Sequence, residues 1–227
     1  MNRLLIVLSL LFACQTMNAK STHVGVAKVD VTPKHRVLLA GYGGRRTESE
    51  GVDTRIWARA LAIGKDDPLL LIVVDNCGVP ESLVEKVAER LKSQIKRERL
   101  VISSTHTHSA PTLRGYAPIV WAGRATAEQE KRVDQYSSYR VDKLVEVAMS
   151  ALKSRQEATL SWGRGRVTFG GNRRVLSQQK WRGFGHQQSG PVDHSLPILV
   201  AKNAKGKPFA IWTNYAWHCT TADSRNR

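Results

Sequence analysis

Alternation of apolar and polar positions predicts several β-strands in the first half of the chain. Residues 24–31 repeat with a period of two, with small or apolar side chains on one face. Residues 55–63 give a second strand, and residues 100–103 give another. Residues 69–74 form an uninterrupted apolar run, which is typical of a strand buried on both faces.

Helical periodicity appears at two places between these strands and the rest of the chain. Residues 81–96 and 127–152 each carry apolar side chains at the three- and four-residue spacing of an amphipathic helix. Residues 159–169 predict a further strand, and residues 196–216 predict a hairpin around the turn at Gly206. Because strands and helices alternate before the hairpin, the sequence predicts an α/β fold with a mixed β-sheet core flanked by helices.

The first 19 residues differ in character from the rest. Arg3 precedes a short apolar run, and a more polar stretch ends at Ala19, which is the layout of a secretory signal peptide. We therefore expect export to the periplasm or the extracellular space, with cleavage after Ala19. Lipoprotein anchoring at Cys14 is the alternative. Residues 20–227 are then expected to form one portion of a catalytic domain. The last residues have the character of an unfinished loop, so the fold is expected to be incomplete at its carboxyl end.

The charge balance is strongly basic. The 227 residues include 35 Lys and Arg against 19 Asp and Glu, a formal net charge of +16. Such a charge is compatible with an anionic membrane surface or another polyanion as a partner. We favour the simpler interpretation, which is a solvated basic surface. No like-charge block of the kind that marks a nucleic-acid-binding tail is present, so no specific nucleic acid partner is predicted. The sequence does not indicate an oligomeric state.

Two cysteines remain after the predicted cleavage site, Cys77 and Cys219. In an exported protein they either pair or remain free, and pairing requires their Cα atoms to lie within about 7 Å. We expect two buried free thiols.

The strongest chemical signal is His106-Thr107-His108, directly after a predicted strand. In an extended backbone, residues two apart point to the same side, so both imidazoles are expected to face one cleft beyond the sheet edge. Imidazole is a preferred zinc ligand. A structural pair of histidines is the alternative.

Two other candidates come from later segments. His218 follows the last predicted strand, and only the fold can bring it to the first histidine pair; a half-buried histidine bonded to a hydroxyl is the alternative. Arg173 follows Gly-Gly-Asn and could present its guanidinium to a carboxylate or phosphate, unless this is an ordinary turn.

Taken in order, these motifs resemble the neutral/alkaline non-lysosomal ceramidase family. The segments that carry the resemblance are Gly25-Val26-Ala27-Lys28-Val29-Asp30-Val31-Thr32, Gly41-Tyr42, Trp57-Ala58-Arg59-Ala60, Val74-Asp75, Ser104-Thr105-His106-Thr107-His108-Ser109-Ala110-Pro111, Asn172-Arg173 and Trp217-His218-Cys219-Thr220-Thr221. They cover essentially all of residues 20–227, which are identified as the amino-terminal portion of such a catalytic domain.

The resemblance implies a zinc-dependent hydrolase of sphingolipid metabolism that cleaves the amide of an N-acyl sphingoid base. It implies that His106 and His218 are zinc ligands, that His108 is an active-site histidine beside the metal, and that Arg173 lines the catalytic pocket. Two further ligands, a Glu and a Tyr, and a catalytic Ser segment lie later in family members, beyond residue 227. We therefore expect weak metal binding and poor activity from this chain. A non-catalytic exported basic protein, either a pseudoenzyme or a polyanion binder, is the alternative.

Overall fold

The structure is a computed structural model that describes residues 21–118, 123 and 125–220. The predicted signal peptide, Cys14 and the last residues of the chain lie outside this range. Within the described residues, the core is a seven-stranded mixed sheet. Across the sheet, the strands lie in the order β4 (Leu100–Ser104), β3 (Leu69–Val74), β2 (Trp57–Ile63), β1 (Ser21–Asp30), β5 (Gln156–Arg166), β8 (Ser195–Lys202) and β9 (Pro208–Thr213). Strands β3 and β4 run parallel, and the other neighbouring pairs are antiparallel. The predicted α/β fold with a mixed sheet is confirmed.

The helices are α1 (Glu81–Leu91) and α2 (Ala127–Lys153). Strands β6 (Arg174–Ser177) and β7 (Lys180–Phe184) form a separate two-stranded hairpin that the sequence analysis did not predict.

The long helix α2 has clear local signals at its start. The side chain of Thr126 accepts a hydrogen bond from the amide of Gln129, and the side chain of Gln129 accepts one from the amide of Thr126. This capping box satisfies two amides that a helix amino terminus leaves unpaired. The buried positions of α2 include Val141, Leu144 and Ala148, so the predicted apolar face is the one that packs on the sheet.

Helix α1 ends at Leu91, earlier than the predicted residue 96. The amides of Gln94 and Ile95 both donate to the carbonyl of Leu91, which closes a turn instead of continuing the helix. This turn points Ile95 into the core and leads the chain back toward β4.

The main core lies on one face of the sheet, where the packed side chains come from β2, β3, α1 and α2. On β3, Leu70, Ile72 and Val74 are fully buried, whereas the alternate positions are only half-buried. The prediction that this strand is buried on both faces is therefore wrong, because both helices pack against the same side. A smaller cluster around Leu61 and Ala201 covers part of the opposite face. In the described part of the chain, neither helix has the length and apolarity that crossing a bilayer requires.

Candidate metal centre

The histidine pair lies where the parallel strands β3 and β4 end at the same edge of the sheet. The amide of Thr105 donates to the carbonyl of Val74, which extends the pairing one residue past β4. His106 then has a φ of 59°, in the left-handed region that non-glycine residues rarely occupy. The backbone is therefore turned at His106, not extended as predicted, and the turn brings the rings of His106 and His108 to within 5.0 Å of each other.

Nitrogen atoms of these two rings approach each other closely. Nε2 of His106 lies 3.4 Å from Nε2 of His108. The other ring nitrogen of His106, Nδ1, lies 2.6 Å from the carbonyl oxygen of Cys77. A carbonyl can only accept, so Nδ1 of His106 carries the proton and the lone pair of Nε2 faces His108.

His218 joins this pair from the opposite end of the sequence. Its ring centroid lies 4.7 Å from that of His106 and 4.6 Å from that of His108. Strand β9 ends at Thr213, so His218 is carried by an irregular segment beyond the strand and not by the strand end as predicted. The three imidazoles that the sequence analysis selected are thus neighbours in space.

Arg173 contacts the third histidine directly. Its guanidinium donates to Nδ1 of His218 over 2.8 Å and to Oγ1 of Thr220 over 3.0 Å. Among its described contacts, the guanidinium therefore engages an imidazole and a hydroxyl, whereas the sequence pattern had suggested a carboxylate or phosphate. Since arginine has no lone pair to offer, Nδ1 of His218 must be the acceptor in this arrangement.

His108 is held by the glycine-rich loop after residue 40. Gly41 has a φ of 104°, and a Cβ atom placed on it would lie 2.5 Å from Cβ of His108. Tyr42 packs edge-on against the His108 ring at 4.8 Å, and Arg45 donates to the His108 carbonyl. The loop therefore requires glycine at position 41, both for its positive φ and for the close approach to His108.

Burial and positive neighbours keep two of these imidazoles neutral. The pKa of His108 falls to about 4, mainly because the ring is buried and also because His218, His106 and two arginines lie close. His218 is more exposed, and its pKa is lowered first because neighbouring atoms partly shield the ring from water and second because of the charge of Arg173. A neutral imidazole is the form that binds a metal ion. Nδ1 of His108 is buried with no hydrogen-bond partner among the described residues.

Cys77 belongs to the same cluster and was missed as a site residue. Potential ligand atoms of Cys77, His106 and His108 all lie within 4.8 Å of one another, and His218 is not a member of this group among the residues described. The Cys77 thiol accepts a hydrogen bond from the hydroxyl of Tyr116, and burial raises its pKa. The thiol is therefore protonated at neutral pH, which makes it a poor ligand as it stands.

The two thiols are free, as expected. Cys77 is buried, whereas Cys219 is only partly buried and donates to the carbonyl of Thr105. The expectation of a buried Cys219 is wrong because its segment lies along the surface beyond β9.

A cavity of about 1160 Å³ opens onto two of the three histidines. Its walls include His108 and His218 together with Arg173, and the loop that carries Gly41 forms one side. The arrangement therefore combines neutral imidazoles, a fixed guanidinium and space for a ligand in one place.

Comparison with known proteins assigns this architecture to a family. A family model described as neutral/alkaline non-lysosomal ceramidase, N-terminal, matches residues 23–227. The chain belongs to this family. Neutral ceramidases of two flies resemble it in sequence: that of Drosophila melanogaster is 27% identical over 111 residues, and that of Drosophila pseudoobscura pseudoobscura is 28% identical over 95 residues. These matches cover 46% and 39% of this chain but only 16% and 14% of the fly proteins.

Solved structures agree on the fold. The crystal structure of neutral ceramidase from Pseudomonas aeruginosa superposes with a TM-score of 0.67 over 88% of this chain, at 19% identity. A structure titled as ceramidase complexed with C2 superposes with a TM-score of 0.66 at the same identity. The chain spans about a third of those ceramidase chains, 32% and 31% respectively. It shares their architecture over that part.

Proposed function

We propose that this chain contributes the histidine part of a zinc site in an exported hydrolase that cleaves the amide bond of N-acyl sphingoid bases or related lipid amides. The observation that carries the proposal is the convergence of three imidazoles from two distant segments, with ring centroids 4.6–5.0 Å apart. Two of them, His108 and His218, line one cavity. Family membership supports the substrate class, since the matched relatives are named neutral ceramidases.

The spacing of the nitrogen atoms fits a metal ion. Two histidines at about 2.1 Å from one tetrahedral zinc place their nitrogens about 3.4 Å apart. The separation between Nε2 of His106 and Nε2 of His108 is 3.4 Å. The carbonyl of Cys77 fixes the tautomer of His106, as the outer partners of metal-binding histidines usually do.

We propose His106 and His218 as the zinc ligands, with His108 beside the metal. Nε2 of His106 already carries a lone pair, and it faces His108. For His218, Nδ1 is held by Arg173, so binding through this nitrogen requires the guanidinium to release it. The nitrogen spacing is also compatible with His108 as a ligand. Separate substitutions of His108 and His218 would show which of the two binds the metal with His106.

The chemistry follows from these groups. Bound zinc supplies a Lewis acid that polarises the amide carbonyl and lowers the pKa of water at the metal. Hydrolysis adds hydroxide to the acyl carbon, breaks the C–N bond and delivers a proton to the leaving amine. His108 is neutral and lines the cavity, so we assign it as the acceptor of the proton of the attacking water. Arg173 is placed to hold a negatively charged product oxygen.

Zinc binding by this chain should be weak. Among the described residues, the close group of ligand atoms contains no carboxylate, and its thiol is protonated at neutral pH. Catalytic zinc sites usually have three protein ligands. We therefore propose that the histidines give measurable but modest affinity and little turnover.

Zinc titration of the purified chain by calorimetry tests the metal site. The His106→Ala and His218→Ala variants should each bind zinc at least about tenfold more weakly than the wild type. The control is His23→Ala, since His23 lies on β1 away from the cavity. Unchanged zinc affinity in both the His106→Ala and the His218→Ala variant would refute the proposed metal centre.

The second candidate is a non-catalytic exported protein that binds polyanions, and the net charge of +16 favours it. Salt-sensitive binding to heparin, combined with unchanged zinc affinity in both histidine variants, would support it. Export itself is tested by amino-terminal sequencing of the protein collected outside the cytoplasm, which should begin at Lys20.

A further inference from the structure

One part of the chain has an unusual charge distribution. Residues 158–192 contain no Asp or Glu, although they include six basic residues. These are Arg164, Arg166, Arg173, Arg174, Lys180 and Arg182. Positive charge is therefore concentrated around the β6–β7 hairpin, even though no contiguous basic block exists.

The same hairpin exposes large apolar side chains on one face. Leu176 and Trp181 are paired across the two strands, and the Trp181 and Phe184 rings lie 5.9 Å apart. Their exposed fractions are 50%, 58% and 77% respectively. A tight turn at Gln178 and Gln179, both with positive φ, joins the strands and keeps this face together.

Apolar and basic groups alternate on this element. Arg174 is paired with Phe184 across the hairpin, while Lys180 and Arg182 flank Trp181, and all three basic residues are exposed. Exposed aromatic side chains interleaved with Lys and Arg are typical of elements that insert into the headgroup region of anionic membranes.

The hairpin also borders the cavity of the metal centre. Phe184 lines this cavity together with His218, and the guanidinium of Arg173 lies 5.8 Å from the Phe184 ring centroid. A ligand bound to the exposed apolar face of the β6–β7 hairpin would therefore lie next to the cavity mouth.

We propose that the β6–β7 hairpin docks on anionic lipid bilayers and holds the cavity mouth against the membrane. Charge complementarity selects an anionic bilayer as the occupant, because an apolar protein partner alone would leave Arg174, Lys180 and Arg182 without counter-charges. The inference extends the proposed function by naming where a lipid substrate would be met. Its test involves neither zinc nor turnover, so the two can fail separately.

Co-sedimentation with phosphatidylcholine vesicles, with and without phosphatidylglycerol, tests the aromatic contribution. The Trp181→Ser/Phe184→Ser variant should lose about tenfold or more in affinity for the anionic vesicles, or about 1.4 kcal/mol. Ile211→Ser is the control, since Ile211 is 67% exposed but lies on β9, outside the hairpin. All variants keep the same amino-terminal segment, so its contribution cancels in the comparison.

A matched pair of charge variants tests the electrostatic contribution. Lys180→Gln/Arg182→Gln should weaken binding about thirtyfold, the equivalent of about 2 kcal/mol, since two basic residues near an anionic surface are lost. Lys205→Gln/Lys207→Gln removes the same charge from the turn between β8 and β9 and should have a smaller effect. Fluorescence quenching by brominated lipid should fall in Trp181→Phe more than in Trp162→Phe.

Three results would overturn the proposal. The first is equal vesicle affinity of the Trp181→Ser/Phe184→Ser variant and the wild type. The second is an equal loss of vesicle affinity in Lys180→Gln/Arg182→Gln and Lys205→Gln/Lys207→Gln. The third is a dimer in solution that the Trp181→Ser/Phe184→Ser change dissociates without altering vesicle binding, which would assign this face to a second copy of the chain. Loss of zinc binding would count against the proposed function only.

Discussion

The guanidinium of Arg173 donates a hydrogen bond to Nδ1 of His218 over 2.8 Å. This contact occupies the lone pair that a metal ion would need at this nitrogen, and it places a positive charge beside the cation site. Hydrogen bonds to charged groups contribute about 1.5–3 kcal/mol. Metal binding at His218 therefore competes with Arg173.

We predict that Arg173→Ala raises the zinc affinity of this chain by about tenfold, the equivalent of 1.4 kcal/mol. Calorimetric zinc titration measures this change in affinity. Arg182→Ala on the β6–β7 hairpin is the control, because it also removes one positive charge. Equal or weaker zinc binding in the Arg173 variant would show that this arginine does not compete for His218.

Gly41 should tolerate no side chain. Its φ of 104° strains any L-residue, and a Cβ atom would lie 2.5 Å from Cβ of His108. Gly41→Ala is expected to lower the free energy of unfolding by about 2 kcal/mol or more. Gly44→Ala in the same loop is the matched control, because no atom lies within 4 Å of its added Cβ. Denaturant unfolding of both variants measures the two losses of stability. Similar unfolding midpoints for the two variants would refute the proposed packing around His108.

The buried hydroxyl of Tyr136 links helix α2 to the end of β1. It donates to the carbonyl of Val31 over 2.7 Å, and it accepts from the guanidinium of Arg140, which is fully buried. Tyr136→Phe leaves both groups unsatisfied in the core, so a loss of about 2–3 kcal/mol in unfolding free energy is expected. Tyr139→Phe removes a longer, 3.3 Å bond at a half-buried site and should cost under about 1 kcal/mol. A larger loss in the Tyr139 variant would contradict this assignment.

Asp30 gives a prediction for the pH dependence of stability. Hydrogen bonding from Thr32, with a smaller contribution from Arg55, lowers the pKa of its carboxyl below the ordinary value of 3.8, although burial opposes this. The folded state therefore favours the carboxylate, and its contribution is complete above pH 3.8 and is lost as the pH falls below it. Asp30→Asn should destabilise the protein at pH 7 by up to about 1 kcal/mol, as expected for an exposed charge pair. The difference from wild type should shrink in unfolding curves measured below pH 3.8, and a constant difference would contradict this account.

Much of the fold was predictable because its elements carry strong local signals. The apolar run of β3 and the helical face of α2 located both elements to within a residue or so. The β6–β7 hairpin was missed because its turn contains Gln178 and Gln179 in place of glycine or asparagine, and its apolar residues face outward. Whether the opposite face of β3 is covered depends on where the helices pack, which periodicity does not specify.

The candidate site was predictable in its members but not in its contacts. His106, His108 and His218 were selected from their positions after strands and from the family resemblance. Cys77 was missed, although it follows β3 and the carboxyl ends of parallel strands β3 and β4 meet at one edge of the sheet. The bond between Arg173 and His218 involves side chains from two loops, and no local pattern encodes it.

X-ray absorption spectroscopy of the zinc-loaded chain tests the convergence of imidazoles on one cation most directly. We predict at least two imidazole ligands at about 2.0–2.1 Å from zinc, and a count lower by one in both His106→Ala and His218→Ala. A zinc shell composed of oxygen atoms, with no change in either variant, would contradict the account.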